Sequence, residues 1–255
     1  MQTVLYDGSF EGWLCAVFDV YEYSFSDIHI CTREEFNGNI FEKVHTVNYN
    51  EQHSKRVWQG LEKRLSGEAL KQVHYTFLSE IDGIENILLQ YVQYVFKSKQ
   101  PVESDYSHAA VLTVTQTARK VWREKHRMEA FVRFQKTKDD LYYAIIEPDY
   151  NVLPLLADHF AGRYADQRWM IYDAKRKYGS YYDLETVQPV EIRFSEEVSS
   201  SNIAPVYDEQ EEVYQKLWQQ YFKSVNIASR KNRKLHIQHM PKRYWKYLVE
   251  KAHRT

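Results

Sequence analysis

Apolar residues recur along the first half of the chain at the three- and four-residue spacing of helices buried on one side. Val57, Trp58, Leu61 and Leu65 form one such stripe, and Ile81, Ile84, Leu88, Tyr91 and Val95 form the next. Ser107 has the chemistry of an N-cap for a long helix carrying Val111, Val114, Ala118, Val121 and Met128. Upstream, Thr3 to Tyr6 reads as a short strand and Asp7-Gly8 as a turn. Phe10 to Tyr23 reads as a helix so apolar that most of its surface must be buried. Asp7 and Glu11 flank its start, where acids favour the helix dipole. These stripes are core, and the N-terminal half is expected to be mainly helical.

The period changes after Glu129. Phe131 to Lys136 and Leu141 to Glu147 are β-rich runs joined by Thr137 to Asp140, a hairpin pattern. Asn151 is placed to cap a helix that runs to Tyr164, with Pro154 tolerated in its first turn. Strands are expected at Arg168 to Asp173, Gly179 to Asp183 and Val187 to Phe194. The order predicts an α+β layer, an antiparallel sheet with at least one packed helix. Ser195 to Glu212 carries six acids and no Lys or Arg, and reads as a linker. A helix bearing Val213, Leu217, Tyr221 and Val225 follows, and then a basic C-terminus. The expected organisation is a helical region 1–128, an α+β region 129–195, an acidic linker 196–212 and a basic helical region 213–255, with a single compact domain as the alternative.

Composition narrows the class. The chain has 255 residues, 44% hydrophobic and 27% charged, with eight glycines and six prolines, which fits a folded protein rather than a disordered one. The formal net charge of -1 means that any polyanion must be met by local patches. The first residues lack a basic segment leading into an apolar core, and no run approaches a membrane span, so a cytoplasmic protein without membrane contact is expected. Cys15 and Cys31 fit reduced core thiols. Two cysteines cannot supply the usual four thiolates of an iron-sulfur cluster, so cluster chemistry would have to come from a partner. No cofactor is expected in this chain.

The densest candidate chemistry lies between Gln167 and Asp183. An apolar strand, Trp169 to Tyr172, leads into Asp173, three consecutive cations at Lys175, Arg176 and Lys177, and the tyrosines Tyr178, Tyr181 and Tyr182. Cations interleaved with aromatics suit nucleic acid. They also suit a solvated turn between two strands. A basic stretch from Arg119 to Lys138 includes Arg119, Lys120, Arg123, Arg127 and Arg133, and the C-terminus adds Arg230, Arg233, Lys234, Lys242, Arg243 and Trp245.

Four segments carry a family resemblance: LYDGSFEGWLCAVF near the start, HRMEAFVRF, EPDYNVLPLLADHFAGRYADQRWMIYDAKRKYG, and NIASRKNRKLHIQHMPKRYWKYLVEK near the end. In collinear order they resemble a bacterial family of DNA-metabolism or DNA-repair proteins. The resemblance implies a companion of a radical-SAM DNA-modification protein, with similar domains fused to uracil-DNA-glycosylase-like domains. It implies DNA as a partner and leaves the reaction open.

Within those segments, His159 and Arg163 stand four apart on one helix face, a spacing that suits a phosphate clamp or a pair fixed by a carboxylate. His126 and Arg127 are expected to close the long helix, where cations favour its C-terminal dipole. Arg133, in a strand, would share a face with Phe131. Glu147 and Asp173 end two strands and are candidates for acid-base work or for loop capping. His236 and His239, near His253, make a weak zinc pattern with no thiolate pair, and no metal is expected. Glycine-rich phosphate loops are absent. Three readings follow: a DNA-binding protein acting with a radical-SAM or glycosylase-like partner, a stand-alone enzyme using Glu147, His159 or Asp173, and a protein-interaction module.

Overall fold

Strand β1 (Gln2–Tyr6) is the centre of a three-stranded sheet whose neighbours, β2 (Ile28–Thr32) and β3 (Lys43–Thr46), both run parallel to it. The computed structural model describes residues 2–36, 43–191 and 240–248. The acidic segment 195–212, Arg230, Arg233, Lys234 and the histidines 236, 239 and 253 lie outside the described residues. The chain divides between Trp122 and Arg123 into two compact units, each with its own sheet.

In the first unit, helix α1 (Phe10–Glu22) carries the chain from β1 to β2. The turn before it forces two glycines. Gly8 sits at φ +86°, and a Cβ on Gly12 would lie 2.0 Å from Asp7 Oδ1. That carboxylate accepts from the Ser9 amide at 2.9 Å and from the Ser9 hydroxyl at 2.7 Å, while Ser9 Oγ accepts from Gly12 N. Gly12 to Val17, Asp19 and Val20 of α1 are buried, as its apolar run requires. Helices α2 (Glu51–Glu62), α3 (Gly67–Phe77) and α4 (Ile84–Lys97) complete a core that includes Trp13, Leu61, Val73 and Leu88. Asn86 on α4 seals the exposed edge of β2: its Oδ1 accepts from Ile30 N at 2.8 Å and its Nδ2 donates to Ile30 O at 3.0 Å. The N-terminal half is therefore mainly helical, as expected, and its helices surround a parallel sheet that adds β2 and β3 to the expected strand. Among the described residues, no helix is long and apolar enough to cross a membrane. Cys15 and Cys31 are buried and unbridged.

One buried acid in this unit has a pH signature. Glu85 is 9% exposed and accepts from the Tyr6 hydroxyl at 3.1 Å. Burial pushes its carboxyl above the ordinary range despite the hydrogen bonds that stabilise its charge. Its folded pKa thus exceeds its unfolded one, so its contribution to stability is full below the unfolded value and is lost as pH rises through the folded value. Glu85→Gln is expected to remove that loss. In urea titrations across pH, the variant should gain on the wild type from acidic to neutral pH; parallel curves would mean that burial does not disfavour the carboxylate.

Helix α5 (Ala109–Phe131) starts one residue later than a Ser107 cap would place it, and the Ser107 hydroxyl donates to Asp105 Oδ1 instead. It also runs past His126 and Arg127 to Phe131, so these do not close the helix. Its extension overturns the expected strand at 131–136: only β4 (Gln135–Lys136) pairs with β5 (Tyr142–Ile146), and Arg133 shares no strand face with Phe131. The hairpin turn forms as expected, with Thr137 N donating to Leu141 O at 2.9 Å and Asp140 at φ +60°.

The second sheet has the order β4-β5-β6-β7-β8, with β6 at Trp169–Asp173, β7 at Tyr178–Tyr182 and β8 at Val187–Glu191. It is mixed rather than antiparallel. Strand β5 runs parallel to β6, with Ile146 opposite Asp173. The reason is helix α6 (Leu153–Arg163), which returns the chain to the starting edge so that both strands point the same way. Asn151 does not cap α6: the position before the helix is Val152, and Asn151 Oδ1 accepts from the Tyr178 hydroxyl at 2.5 Å. Pro154 occupies the first turn, as expected. Aromatics fill the space beneath the sheet, where Trp169 stacks on its register partner Tyr182 at 5.4 Å and Phe134 meets Phe160 edge-on at 5.5 Å.

Candidate nucleic-acid interface

The turn between β6 and β7 is built on Asp173. Its side chain is fully buried, Oδ1 accepts from the amides of Lys175 at 2.9 Å and Arg176 at 3.1 Å, and Oδ2 holds the Arg176 guanidinium at 2.9 Å. Arg176, 9% exposed in its side chain, also donates to the carbonyls of Pro148 and Asp149. Lys175 Nζ donates to Asp149 O at 2.9 Å. The three consecutive cations are thus unequal. Arg176 turns inward as a brace, whereas Lys175 and Lys177 are exposed, and Lys177 takes the left-handed backbone that closes the turn at φ +61°.

Because β5 and β6 run parallel, the loop after β5 lies at the same end as Asp173, and a second basic segment converges on it. This is the short 3-10 helix Lys242–Tyr247. Lys246 and the Tyr247 hydroxyl both hydrogen-bond Glu147 Oε2. Those contacts, from Lys246 first and then Tyr247, hold the Glu147 carboxyl below the usual range. Arg243 bridges Asp149 Oδ2 at 2.8 Å and Glu124 Oε2 at 2.9 Å. Glu124 is 1% exposed, and its other oxygen accepts from the Asp149 amide at 2.9 Å. Tyr244 is buried against Phe131, and Trp245 Nε1 donates to Met240 O. Lys242 is exposed.

The predicted residues therefore separate into two groups. Glu147, Asp173, Lys175, Arg176 and Arg243 converge at one end of the parallel strand pair, joined there by Lys246. Arg133, Arg163 and His159 make their described contacts elsewhere. Arg133 donates to the carbonyls of Ala130 and Val132 at the end of α5. Arg163 lies along the Tyr164 ring, with its guanidinium 5.7 Å from the centroid. His159 Nδ1 is 3.6 Å from Glu129 Oε1, so it and Arg163 share a helix but no ligand position. Asp173 has both oxygens engaged and Glu147 is held ionised, an arrangement that favours structural roles for both over proton exchange with a substrate. No group of three His, Cys, Asp or Glu side chains suited to a metal occurs among the described residues.

Helix α5 sorts its charges. Its acids Glu124 and Glu129, 1% and 14% exposed in their side chains, turn inward, where Glu124 approaches Arg127 at 3.8 Å and Glu129 binds Lys125 at 2.5 Å. Arg119, Lys120 and Arg123 are exposed, and among the described residues none of the three has an ion-pair or hydrogen-bond partner. Arg119 and Arg123 are four apart and so lie on one face, with Lys120 beside them. Trp122, 51% exposed, flanks the stripe. The sequence marks Arg127 no differently from these cations, yet it pairs inward. Glu124 went unnoticed, although its place between Val121 and Met128 on the buried stripe marks it.

Residues 82–250 match a domain of unknown function, DUF4130. Among solved structures, the chain is similar to the pGpG-specific phosphodiesterase PggH from Vibrio cholerae, with 9% identity and a TM-score of 0.34 over 88% of this chain and 99% of that one, too distant a likeness to carry a functional argument. No curated protein matches the chain. Since the match spans well over half of the sequence and takes in α5, the second sheet and the Lys242–Tyr247 segment, the chain belongs to the DUF4130 family.

Proposed function

We propose that this chain is a DNA-metabolism protein that binds nucleic acid along the outward face of α5 and acts beside a radical-SAM or glycosylase-like partner, which supplies the chemistry. The observation that carries the binding is the exposed set Arg119, Lys120 and Arg123, three cations with no acid to neutralise them among the described residues. Long side chains left in water with unpaired charge are suited to phosphates, which bind them with release of counterions. Lys175 and Lys177 provide a second, smaller exposed pair. The partner comes from the resemblance carried by the four segments of the sequence. A stand-alone enzyme has less support, because Asp173 is sealed and Glu147 is ion-paired.

The test is fluorescence anisotropy of labelled single- and double-stranded DNA with the full chain, titrated across salt. Reversing Arg119, Lys120 and Arg123 to glutamate is expected to flatten the dependence of log K on log salt by about three, close to one for each phosphate contact removed. All three are exposed, so the melting temperature should stay unchanged. Absence of binding to either DNA at low salt would overturn the proposal, as would an unchanged slope in the triple variant, which would move the contact to other cations. Capture of an acidic protein without DNA affinity would favour the interaction module.

A further inference from the structure

A groove of about 240 Å3 opens in the first unit between α1, α2 and α4, lined by Phe18, Tyr21, Glu22, Arg56, Val57 and Phe96. That is space for roughly eight waters at liquid density, enough for one flat ring system and too little for a macromolecular surface. Its walls are aromatic and braced. Phe18 stacks on His53 at 3.9 Å, Phe96 meets Tyr21 edge-on at 5.8 Å, and a side chain at Gly60 would come within 3.2 Å of the Phe96 ring. Glycine at position 60 therefore lets the ring seat against α2.

The polar groups of the groove are the informative part. Glu22 and Arg56 carry opposite charges and line the same groove, yet they form no ion pair with each other, and among the described residues neither has a hydrogen-bond partner. Among the described residues Arg56 meets the Phe18 ring, with its guanidinium 5.7 Å from the centroid. An acceptor-only carboxylate and a donor-only guanidinium beside stacking faces match a planar ring whose edge carries an N–H next to a carbonyl. Adenine offers an amino group but no carbonyl.

We propose that this groove is a binding slot for a single nucleobase with a lactam edge, its N–H donating to Glu22 and its carbonyl accepting from Arg56 while the ring lies between Phe18 and Phe96. The slot is separate from the α5 face, needs no phosphate, and sits in a different set of helices. It gives the chain a means of selecting a base that a row of phosphate-binding cations lacks.

The experiment uses nucleosides, which carry no phosphate, so that its outcome is independent of DNA affinity. Thymidine, inosine and adenosine are titrated against the full chain by saturation-transfer NMR. Thymidine and inosine are expected to bind in the millimolar range and adenosine more weakly. Glu22→Gln and Arg56→Gln, both at exposed positions, should each weaken thymidine binding about tenfold or more and erase the preference over adenosine, with the melting temperature unchanged. No binding of either lactam nucleoside, equal binding of adenosine, or wild-type binding in both variants would overturn the proposal. Loss of DNA binding with retained nucleoside binding would overturn the α5 reading alone.

Discussion

Asp173→Ala is expected to cost about 3–5 kcal/mol of unfolding free energy in the second unit, the usual penalty for removing one partner of a buried ion pair. The expectation follows from what the substitution leaves behind. Arg176, 9% exposed in its side chain, keeps its two carbonyl acceptors at Pro148 and Asp149 but loses its only described carboxylate. The amides of Lys175 and Arg176 lose their acceptor at the same time, and the turn carrying Lys177 at positive φ has less to hold it. Asp173→Asn should cost less, since the amide oxygen still caps the turn while Arg176 loses only the charge of Asp173. Urea denaturation gives the magnitude, and hydrogen exchange at the amides of Lys175 and Arg176 gives the location. A loss below about 1 kcal/mol with unchanged exchange would remove Asp173 from its bracing role and return it to the list of candidate proton carriers. If it braces the turn, any loss of DNA affinity in Asp173→Ala should be recovered in conditions that restore the fold, such as added osmolyte.

The parts of this architecture that could be read from the sequence are those in which burial and period coincide. Trp169 to Tyr172 and Gly179 to Tyr182 were visible as strands because their aromatic and branched residues pack on cross-strand partners, as Trp169 does on Tyr182. The direction of β6 was not, because alternation carries no sign. The helix between β5 and β6 was the available clue, since a strand-helix-strand unit favours parallel pairing. Strands β2 and β3 escaped notice for a different reason. Lys43–Thr46 is an edge strand with mostly exposed positions, and Ile28–Thr32 is five residues long and includes a histidine, so neither shows the apolar alternation of a central strand. In the candidate interface, a count of cations could not tell Arg176 from Lys175 or Arg127 from Arg123. What separates them is the position of acids that fold inward, and those acids are Asp173 and Glu124. In the sequence the first is a strand-end carboxylate. The second was hidden in a stretch read only for its positive charge.

Glu124→Ala is the second large effect expected, about 1–3 kcal/mol, because a 1%-exposed carboxylate accepts from the Asp149 amide and from Arg243, which comes from a segment 119 residues away. Arg243→Met should cost less. Its side chain is 40% exposed in the native state and Glu124 would retain the Asp149 amide and Arg127 nearby, although the carboxylate would lose its closest cation. A double-mutant cycle between the two is expected to give a coupling of about 1–3 kcal/mol. The location of the effect is as telling as its size. Lys246 and Glu147 form a second tie between the same segment and the loop after β5, and Tyr244 fills a buried site beside Phe131. Loss of Glu124 removes one tie and leaves the Asp149 amide without its acceptor, so trypsin cleavage at Lys242, Arg243 and Lys246 should accelerate before global unfolding. Glu147→Gln, at the more exposed tie, should accelerate the same cleavage with a smaller loss of stability, because an exposed pair contributes less. Equal cleavage rates in both variants and the wild type would show that apolar contacts such as that of Tyr244, rather than the two carboxylates, hold the segment to the strand ends.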